Sequence, residues 1–214
     1  MKIRYLGHSC FSITLDSGVT IVTDPYTKVG YELPKGIKAD IVTVSHGHFD
    51  HSYIAAIGGE PAIVSEAGEY EADGLEIVGK ESFHDPKGGA LRGKNVIFTI
   101  IADGVRICHL GDLGEAYTAE LTKKIGDVDV LLIPIGGTYT IDGTQAKEYV
   151  EKLQPNIVIP MHYLPDDGAL DISDEKGFLS LFDEKNITRV GAEYTFTKKD
   201  IEGAKKKIVF MERN

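Results

Sequence analysis

Six consecutive residues in the first quarter of the chain carry side chains that bind metal ions. The segment His46-Gly47-His48-Phe49-Asp50-His51 contains three imidazoles and a carboxylate, and it follows the apolar run Ile41 to Val44. Imidazole nitrogens and carboxylate oxygens are common ligands of zinc and other divalent cations. An apolar run that ends in such residues is typical of a strand that delivers ligands into the following loop. A polar turn without a cation is the alternative, but so many ligand groups at this spacing favour a metal site.

The order of the side chains in this segment indicates how they divide between ions. In extended backbone alternate residues share a face, so His46 and His48 can hold one metal ion together. Asp50 and His51 lie slightly further along the chain and can serve a second ion beside the first. A carboxylate can ligate a cation, bridge two cations or orient an attacking water, so we expect Asp50 to act in catalysis.

Three further ligand candidates follow other apolar stretches. His84 comes directly after an extended stretch that ends at Phe83, Asp112 follows the run that ends at Leu110, and His162 follows a short run that starts at Ile157. Each has an ordinary alternative, since lone histidines are usually surface or core residues and an aspartate after a glycine is often a helix N-cap. Side chains at strand ends on a rigid scaffold are well placed for chemistry, so we expect one convergent site.

The elements that must position these residues predict an α/β protein. Short apolar runs bounded by turn residues predict strands near 2–6, 11–15, 19–23, 41–44, 62–64, 75–83, 96–101, 105–110, 130–135, 157–159, 189–190, 194–196 and 208–211. Apolar spacing predicts helices near 52–58, 117–125, 146–153 and 178–182. Segments 26–40 and 85–95 are predicted loops, and 68–74 a turn. Hairpins dominate the first half and strand–helix alternation the second, which indicates two sheets packed face to face with helices outside.

Length and composition indicate one globular domain, residues 1–214. The content of hydrophobic residues is 42% and that of charged residues 26%, as in ordinary globular proteins. No secretory signal core or membrane span is visible, so we expect a cytoplasmic protein without membrane contact. Cys10 and Cys108 are too few for a disulfide framework and are expected to be buried thiols.

The net charge of -10 limits the classes of partner. Binding to a long nucleic acid depends on many lysine and arginine contacts, so we expect no such partner. A small anionic substrate is compatible with this charge, because two divalent cations would reverse its sign locally. A homo-oligomer is also compatible with the sequence.

The ordered set of motifs resembles the metallo-β-lactamase superfamily over nearly the whole chain. The motifs that carry the resemblance are H-x-H-x-D-H at 46–51, the later His84, Gly-Asp at 111–112 and Pro-Met-His-Tyr at 160–163. Gly7-His8-Ser9, Asp24-Pro25 and Pro134 to Gly137 are similar to a small single-domain branch of metal-dependent hydrolases, related to the L-ascorbate-6-phosphate lactonase type.

This resemblance implies a four-layer αββα sandwich with two divalent metal ions, for which zinc is the first expectation and manganese, iron and nickel are alternatives. The implied ligands of the first ion are His46, His48 and His84. The implied ligands of the second are Asp50, His51 and His162. Asp112 would bridge the two ions and act in catalysis, and Asp24 would accept the outer N–H of a ligating histidine.

Several other polar residues have weaker predicted roles. His109 shares a strand face with Val105 and Ile107, so we expect it in the core or behind the ligands. The candidate substrate contacts are His8, Lys87, Arg92 and Tyr163. A hairpin histidine and solvated loop charges are the ordinary alternatives for His8, Lys87 and Arg92.

The predicted activity is that of a metal-dependent hydrolase. Two adjacent cations lower the pKa of a bridging water from 15.7 towards about 7, which supplies hydroxide at neutral pH. We expect a small phosphoester substrate, either a phosphodiester or a cyclic nucleotide-like compound. Lactone, amide or thioester hydrolysis of a small, including a phosphorylated, metabolite is the first alternative, and a non-catalytic metal-stabilised binding domain is the second.

Overall fold

The computed structural model describes residues 1–72 and 74–213 of the chain. The strands of this part are β1 (Lys2–Gly7), β2 (Cys10–Thr14), β3 (Thr20–Thr23), β4 (Ile41–Thr43), β5 (Ala62–Val64), β6 (Gly68–Ala72), β7 (Leu75–Phe83), β8 (Lys94–Ala102), β9 (Val105–His109), β10 (Val130–Pro134), β11 (Ile157–Met161), β12 (Ile187–Val190), β13 (Glu193–Thr195) and β14 (Lys207–Met211). Its α-helices are α1 (Ala119–Ile125), α2 (Gly143–Leu153), α3 (Lys176–Leu179) and α4 (Lys198–Glu202), and Ile54–Ala56 and Glu184–Asn186 form 3-10 turns.

The strands form two mixed sheets, which confirms the predicted α/β class. The smaller sheet has six strands in the order β13-β1-β2-β3-β4-β5, and the larger has eight in the order β12-β14-β11-β10-β9-β8-β7-β6. Strands β1, β2 and β3 pair antiparallel in sequence order, as do β6, β7, β8 and β9, whereas β3, β4 and β5 pair in parallel. Strands β9 to β11 pair in parallel, and β14 extends this parallel region. Antiparallel hairpins in the first half of the chain and parallel crossover connections in the second half agree with the sequence-based prediction.

The main hydrophobic core involves both sheets. Successive residues of β3 show how the smaller sheet is buried on two sides, since Ile21 belongs to the main core and Val22 to a second cluster with Tyr26 and Leu33. Tyr26 and Leu33 belong to the loop after β3, so this loop and the 3-10 turn Ile54–Ala56 cover that face where a helical layer was expected. Strands β10 and β11 are buried along their whole length, and α2 packs on β10.

Local structure differs from the sequence-based expectation where the apolar signal is weak. Residues 68–74 were predicted as a turn, but residues 68–72 form β6, which pairs with β7, and Asp73 lies outside the described residues. The strand was missed because its sequence GEYEA is polar and lies at the exposed edge of the larger sheet. The predicted helices near 52–58 and 178–182 are reduced to a 3-10 turn and the four-residue α3. α4 was not predicted. Among the described residues, no helix has the length and apolar character needed to cross a membrane.

The strand ends bring the predicted chemistry to one place. His8, Asp24, His84 and His162 each directly follow a strand, which is β1, β3, β7 and β11 respectively. The segment that starts at His46 and the residue Asp112 follow β4 and β9 after short connections. The two sheets are also joined here, since the His162 N–H donates a hydrogen bond to the His8 carbonyl across 3.0 Å.

Candidate metal centre

Eight side chains converge at these strand ends. We define the inner donor group as His8, Asp50, His51 and His162, whose potential ligand atoms all lie within 4.8 Å of one another. We define the outer donor group as His46, His48 and His84, which meet the same distance criterion. Asp112 forms a third such set with His46 and His51, so it stands between the two groups.

Asp112 contacts both groups through its two carboxylate oxygens. Its Oδ1 lies 3.1 Å from His51 Nε2, and its Oδ2 lies 3.2 Å from both His84 Nε2 and His162 Nε2. Two ligands bound at 2.0–2.1 Å to one tetrahedral cation stand about 3.4 Å apart, so these separations suit a shared ion. His51 Nε2, Asp112 Oδ1 and both ring nitrogens of His162 are buried without a hydrogen-bond partner among the described residues. Buried polar atoms are rarely left unpaired, so this donor set fits divalent cations.

Asp24 orients one histidine of each group. Its Oδ2 lies 2.8 Å from His51 Nδ1, which leaves Nε2 of that ring free to face Asp112. The Ser45 hydroxyl donates to the same oxygen across 2.6 Å, and Ser45 Oγ lies 3.0 Å from His46 Nδ1. Because the hydroxyl proton is used on Asp24, Ser45 Oγ accepts the His46 Nδ1–H. Both imidazoles are therefore fixed in the tautomer that presents Nε2 to an ion. The sequence singled out Asp24 for this kind of contact but not Ser45.

Two other buried histidines, His84 and His109, also have defined partners. His84 Nδ1 donates to the Tyr139 carbonyl across 3.0 Å, so its Nε2 faces Asp112. His109 donates from Nε2 to the Ser9 carbonyl across 2.8 Å and accepts the Gly111 N–H at Nδ1 across 3.1 Å. Both nitrogens of His109 are thus used within the protein, and this residue lies outside the candidate donor sets.

Asn95 and Gly111 hold Asp112 in place. Asn95 accepts the Asp112 N–H at Oδ1 across 2.9 Å and donates to the Leu110 carbonyl across 2.9 Å. Gly111 has φ +56°, and a Cβ at this position would lie 2.3 Å from Asn95 Oδ1. Only glycine fits this turn without displacing the amide. The sequence placed Asn95 in a loop and did not indicate this contact.

Burial sets the protonation of the donors. It lowers the pKa of His46 to about 3 and that of His8 to about 4, and it also lowers the pKa of His84. These rings are therefore neutral at physiological pH and can donate a lone pair. Burial alone would raise the pKa of Asp112, but the adjacent histidines outweigh it and hold that pKa well below its usual range. Burial alone would lower the pKa of His51, but Asp112 outweighs it and raises that pKa. A cation can take the place of that proton.

A cleft of about 330 Å³ opens onto the centre. Its lining residues are His48, Phe49, Asp50, His84, Arg92, Asp112, Tyr139 and Leu170. The Arg92 guanidinium lies 5.5 Å from the centre of the Tyr139 ring, a cation–π contact that places a positive charge in the lining. Phe49 is 50% exposed although it is a large apolar residue. The cleft thus combines a polar floor with an aromatic mouth.

The four candidate substrate contacts have different positions. Arg92 lines this cleft, whereas His8, Lys87 and Tyr163 do not. His8 is 1% exposed and belongs to the inner donor group. Tyr163 is buried, and its hydroxyl donates to the Met211 carbonyl across 3.4 Å.

Asp85 shapes the loop that carries Arg92. Its carboxylate accepts backbone N–H groups from Lys87, Gly89, Leu91 and Arg92 at 2.8–3.1 Å. Burial by itself would raise the pKa of Asp85, but these four donors outweigh it and lower the pKa. An ionised carboxylate at the centre of the loop therefore fixes the backbone from which Arg92 reaches the cleft.

Comparisons with known proteins identify the family to which the chain belongs. The family model described as "Beta-lactamase superfamily domain" matches residues 2–162. A UPF0173 metal-dependent hydrolase from Pelotomaculum thermopropionicum is 34% identical over 195 residues, which cover 76% of this chain and 84% of that protein. One from Thermococcus onnurineus is 30% identical over 191 residues, with the same coverage of 76% and 84%. The crystal structure of a metallo-beta-lactamase superfamily protein from Thermotoga maritima is 37% identical, with a TM-score of 0.83 and coverage of 100% of this chain and 99% of that one.

Proposed function

Because this chain belongs to the beta-lactamase superfamily, and within it to the UPF0173 metal-dependent hydrolases, we propose that it hydrolyses a small anionic phosphoester with two divalent metal ions. The observation that carries the proposal is the convergence of two donor groups on the shared Asp112, beneath a cleft whose lining includes Arg92. We place the reaction in the cytoplasm.

The donor groups have the composition that two separate ions need. The outer group would hold one ion through three imidazoles, and His51, His162 and the Asp50 carboxylate of the inner group would hold the other. Asp112 would be shared between them. Imidazole with carboxylate suits zinc, with manganese, iron and nickel as alternatives. Two such cations, when bound, lower the pKa of a shared water towards about 7 and polarise the oxygen of the electrophile.

The side chains of the cleft supply what the ions do not. Asp50 lines the cleft, and the nearby His8 outweighs the effect of burial and lowers the pKa of this carboxylate. Asp50 is therefore ionised at neutral pH and can accept a hydrogen bond from the attacking water. Asn95 and Asp24 hold the ligands in fixed orientations through the contacts described above. Fixed donors of this kind lower the cost of reorganisation in the transition state.

The cleft favours a small substrate with an anionic and an apolar part. Arg92 can bind phosphate oxygens through two parallel N–H donors, as guanidinium groups do. Phe49, Tyr139 and Leu170 form an apolar surface beside it, which suits the organic substituent of a phosphodiester or a cyclic nucleotide-like compound. The volume of about 330 Å³ matches a small-molecule ligand.

The test is an activity screen on protein loaded with zinc or manganese. We expect hydrolysis of phosphodiesters, loss of activity after chelation and recovery after the metal is restored. The same centre can hydrolyse acyl substrates, so lactones, amides and thioesters belong in the same screen. Opening of lactones with all phosphodiesters left intact would replace the phosphoester proposal by the acyl one. Absence of turnover on every class, in protein that binds two ions, would favour a binding domain.

A further inference from the structure

His8 occupies an unusual position for a histidine in a hairpin turn. It follows β1 directly, its side chain is buried, and its Nε2 atom has no hydrogen-bond partner among the described residues. A buried ring nitrogen normally finds a protein or water partner. The unpaired Nε2 therefore needs a chemical explanation.

The surroundings of Nε2 are those of a metal ligand. It lies 3.4 Å from Asp50 Oδ2, and it shares the inner donor group with His51 and His162. The ring centres of His8 and His162 are 4.2 Å apart. The separation between Nε2 and the Asp50 oxygen equals the value of about 3.4 Å for two ligands of one tetrahedral cation.

The backbone of His8 is held on both sides of the residue. Its N–H donates to the Tyr31 hydroxyl across 3.0 Å, and its carbonyl accepts from the Tyr5 hydroxyl and the His162 N–H across 3.1 and 3.0 Å. These contacts hold His8 at φ +53°, a left-handed conformation that is uncommon outside glycine. His162 has φ +52°, so two members of the inner donor group share this conformation. Such backbone persists where the surrounding structure enforces it, and it is concentrated at functional sites.

Two other roles for His8 fit these observations less well. A substrate contact would require His8 to reach the cleft, but its side chain is 1% exposed and does not line it. A residue that only positions Asp50 would hold its carboxylate with a hydrogen bond of normal length from Nε2, but the separation of 3.4 Å is longer than the usual 2.7–3.2 Å. A cation between the nitrogen and the carboxylate accounts for both the separation and the unpaired atom.

We propose that His8 is a protein ligand of the inner metal ion, which is then bound by three imidazoles and Asp50 in addition to the shared Asp112. This inference rests on the proposed two-ion centre and adds a ligand to it. The inner ion would have one more protein ligand than the outer ion, and its extra ligand would come from the first turn of the chain.

The direct test is a crystal structure of the protein loaded with two equivalents of zinc, with anomalous data collected at the zinc edge. We expect a peak in the inner donor group about 2.0–2.1 Å from His8 Nε2. A zinc ion held by Asp50, His51 and His162 with His8 Nε2 more than about 3 Å away would overturn the inference, while the two-ion centre would stand. Bound zinc with His8 ligated, but no hydrolysis of any substrate, would instead refute the proposed function alone.

A solution experiment uses His8→Asn, because asparagine tolerates positive φ but is too short to replace the imidazole. Competition with a chelator should show that zinc binding to the inner group is weaker than in the unsubstituted protein by about tenfold to a hundredfold or more. The outer ion of the same variant is the internal control, since His46, His48 and His84 are unchanged in His8→Asn. Unchanged zinc affinity in His8→Asn, or equal losses of the inner and outer ions, would contradict ligation by His8.

Discussion

The inner and outer donor groups differ in depth and in composition, although they meet at one carboxylate. His8, His51 and His162 of the inner group are at most 1% exposed, whereas His48 of the outer group is exposed and lines the cleft. The inner group also contains its own carboxylate, Asp50, and the outer group consists of imidazoles. A buried, charged set of ligands favours tight retention of a cation, and an open, neutral set favours exchange and contact with substrate.

The difference follows from how the chain supplies each group. The inner group joins the ends of β1 and β11, which belong to different sheets, and the hydrogen bond from the His162 N–H to the His8 carbonyl ties these ends together. The loop after β4 supplies two ligand candidates to each group, and the outer group has only one further member, His84, which follows β7. Ligands that are fixed by long-range packing lose little freedom when they bind an ion, whereas ligands on one loop can adjust.

Replacement of the shared carboxylate tests whether the two groups act together. We expect Asp112→Asn to lower kcat/KM by about a thousandfold, or ~4 kcal/mol, because a neutral amide cannot serve two cations. The isosteric side chain should leave the circular dichroism spectrum unchanged. Metal analysis should show fewer than two ions per chain. Two tightly bound ions together with near-normal turnover would show that the groups do not depend on Asp112.

Substitutions of Asp24 and Ser45 should affect the zinc affinity of the two donor groups differently. Asp24 contacts His51 directly and His46 through Ser45, so Asp24→Asn should weaken both ions by about tenfold to a hundredfold. Ser45→Ala removes the link to His46 and one hydrogen bond to Asp24, whose own contact with His51 remains, so it should weaken the outer ion more than the inner ion. The measurement is a zinc titration of each variant in competition with a chelator. Equal losses of both ions in Ser45→Ala would contradict this division.

Stepwise removal of metal compares the affinities of the two donor groups for zinc in the unsubstituted protein. We expect two phases of zinc release whose dissociation constants differ by at least about tenfold, or ~1.4 kcal/mol, with the outer ion leaving first. His48→Ala provides the control, because this exposed side chain, a proposed ligand of the outer ion, can be removed without opening the core. It should abolish the weaker phase and preserve the tighter one. Loss of the tighter phase in His48→Ala would reverse the comparison.

The outer group illustrates what the sequence can predict. His46 and His48 lie two residues apart after an apolar run, so their spacing alone predicts that they converge. The α/β class and the two sheets were predicted because the central strands have strong apolar patterns. β6 was missed because an exposed edge strand of sequence GEYEA lacks that pattern.

The inner group illustrates what local sequence cannot supply. His8 and His162 are distant in the chain, and only the packing of the two sheets places their rings 4.2 Å apart. Ser45 and Asn95 act through hydrogen bonds to the backbone or to neighbouring side chains, and these contacts have no signature at the level of sequence spacing. The adjacency of Ser45 to His46 was the available signal, but it becomes informative only once Asp24 is known to lie beside it.

A substitution in the cleft lining should have the smallest effect on activity, and this effect should be specific to substrate binding. Arg92 lines the cleft together with His48 and His84 of the outer donor group, whereas Lys87 on the same loop does not line it. We expect Arg92→Gln to raise KM for anionic substrates about fivefold, or ~1 kcal/mol, since it removes one charged hydrogen-bonding group from a site that bound metal ions would already make positive. Zinc affinity and kcat should change little, because Arg92 belongs to neither donor group. Lys87→Gln is the matched control and should leave KM unchanged. If both variants raised KM equally, the general charge of the loop would account for the effect, and the outer face of the centre would have no specific anion contact at Arg92.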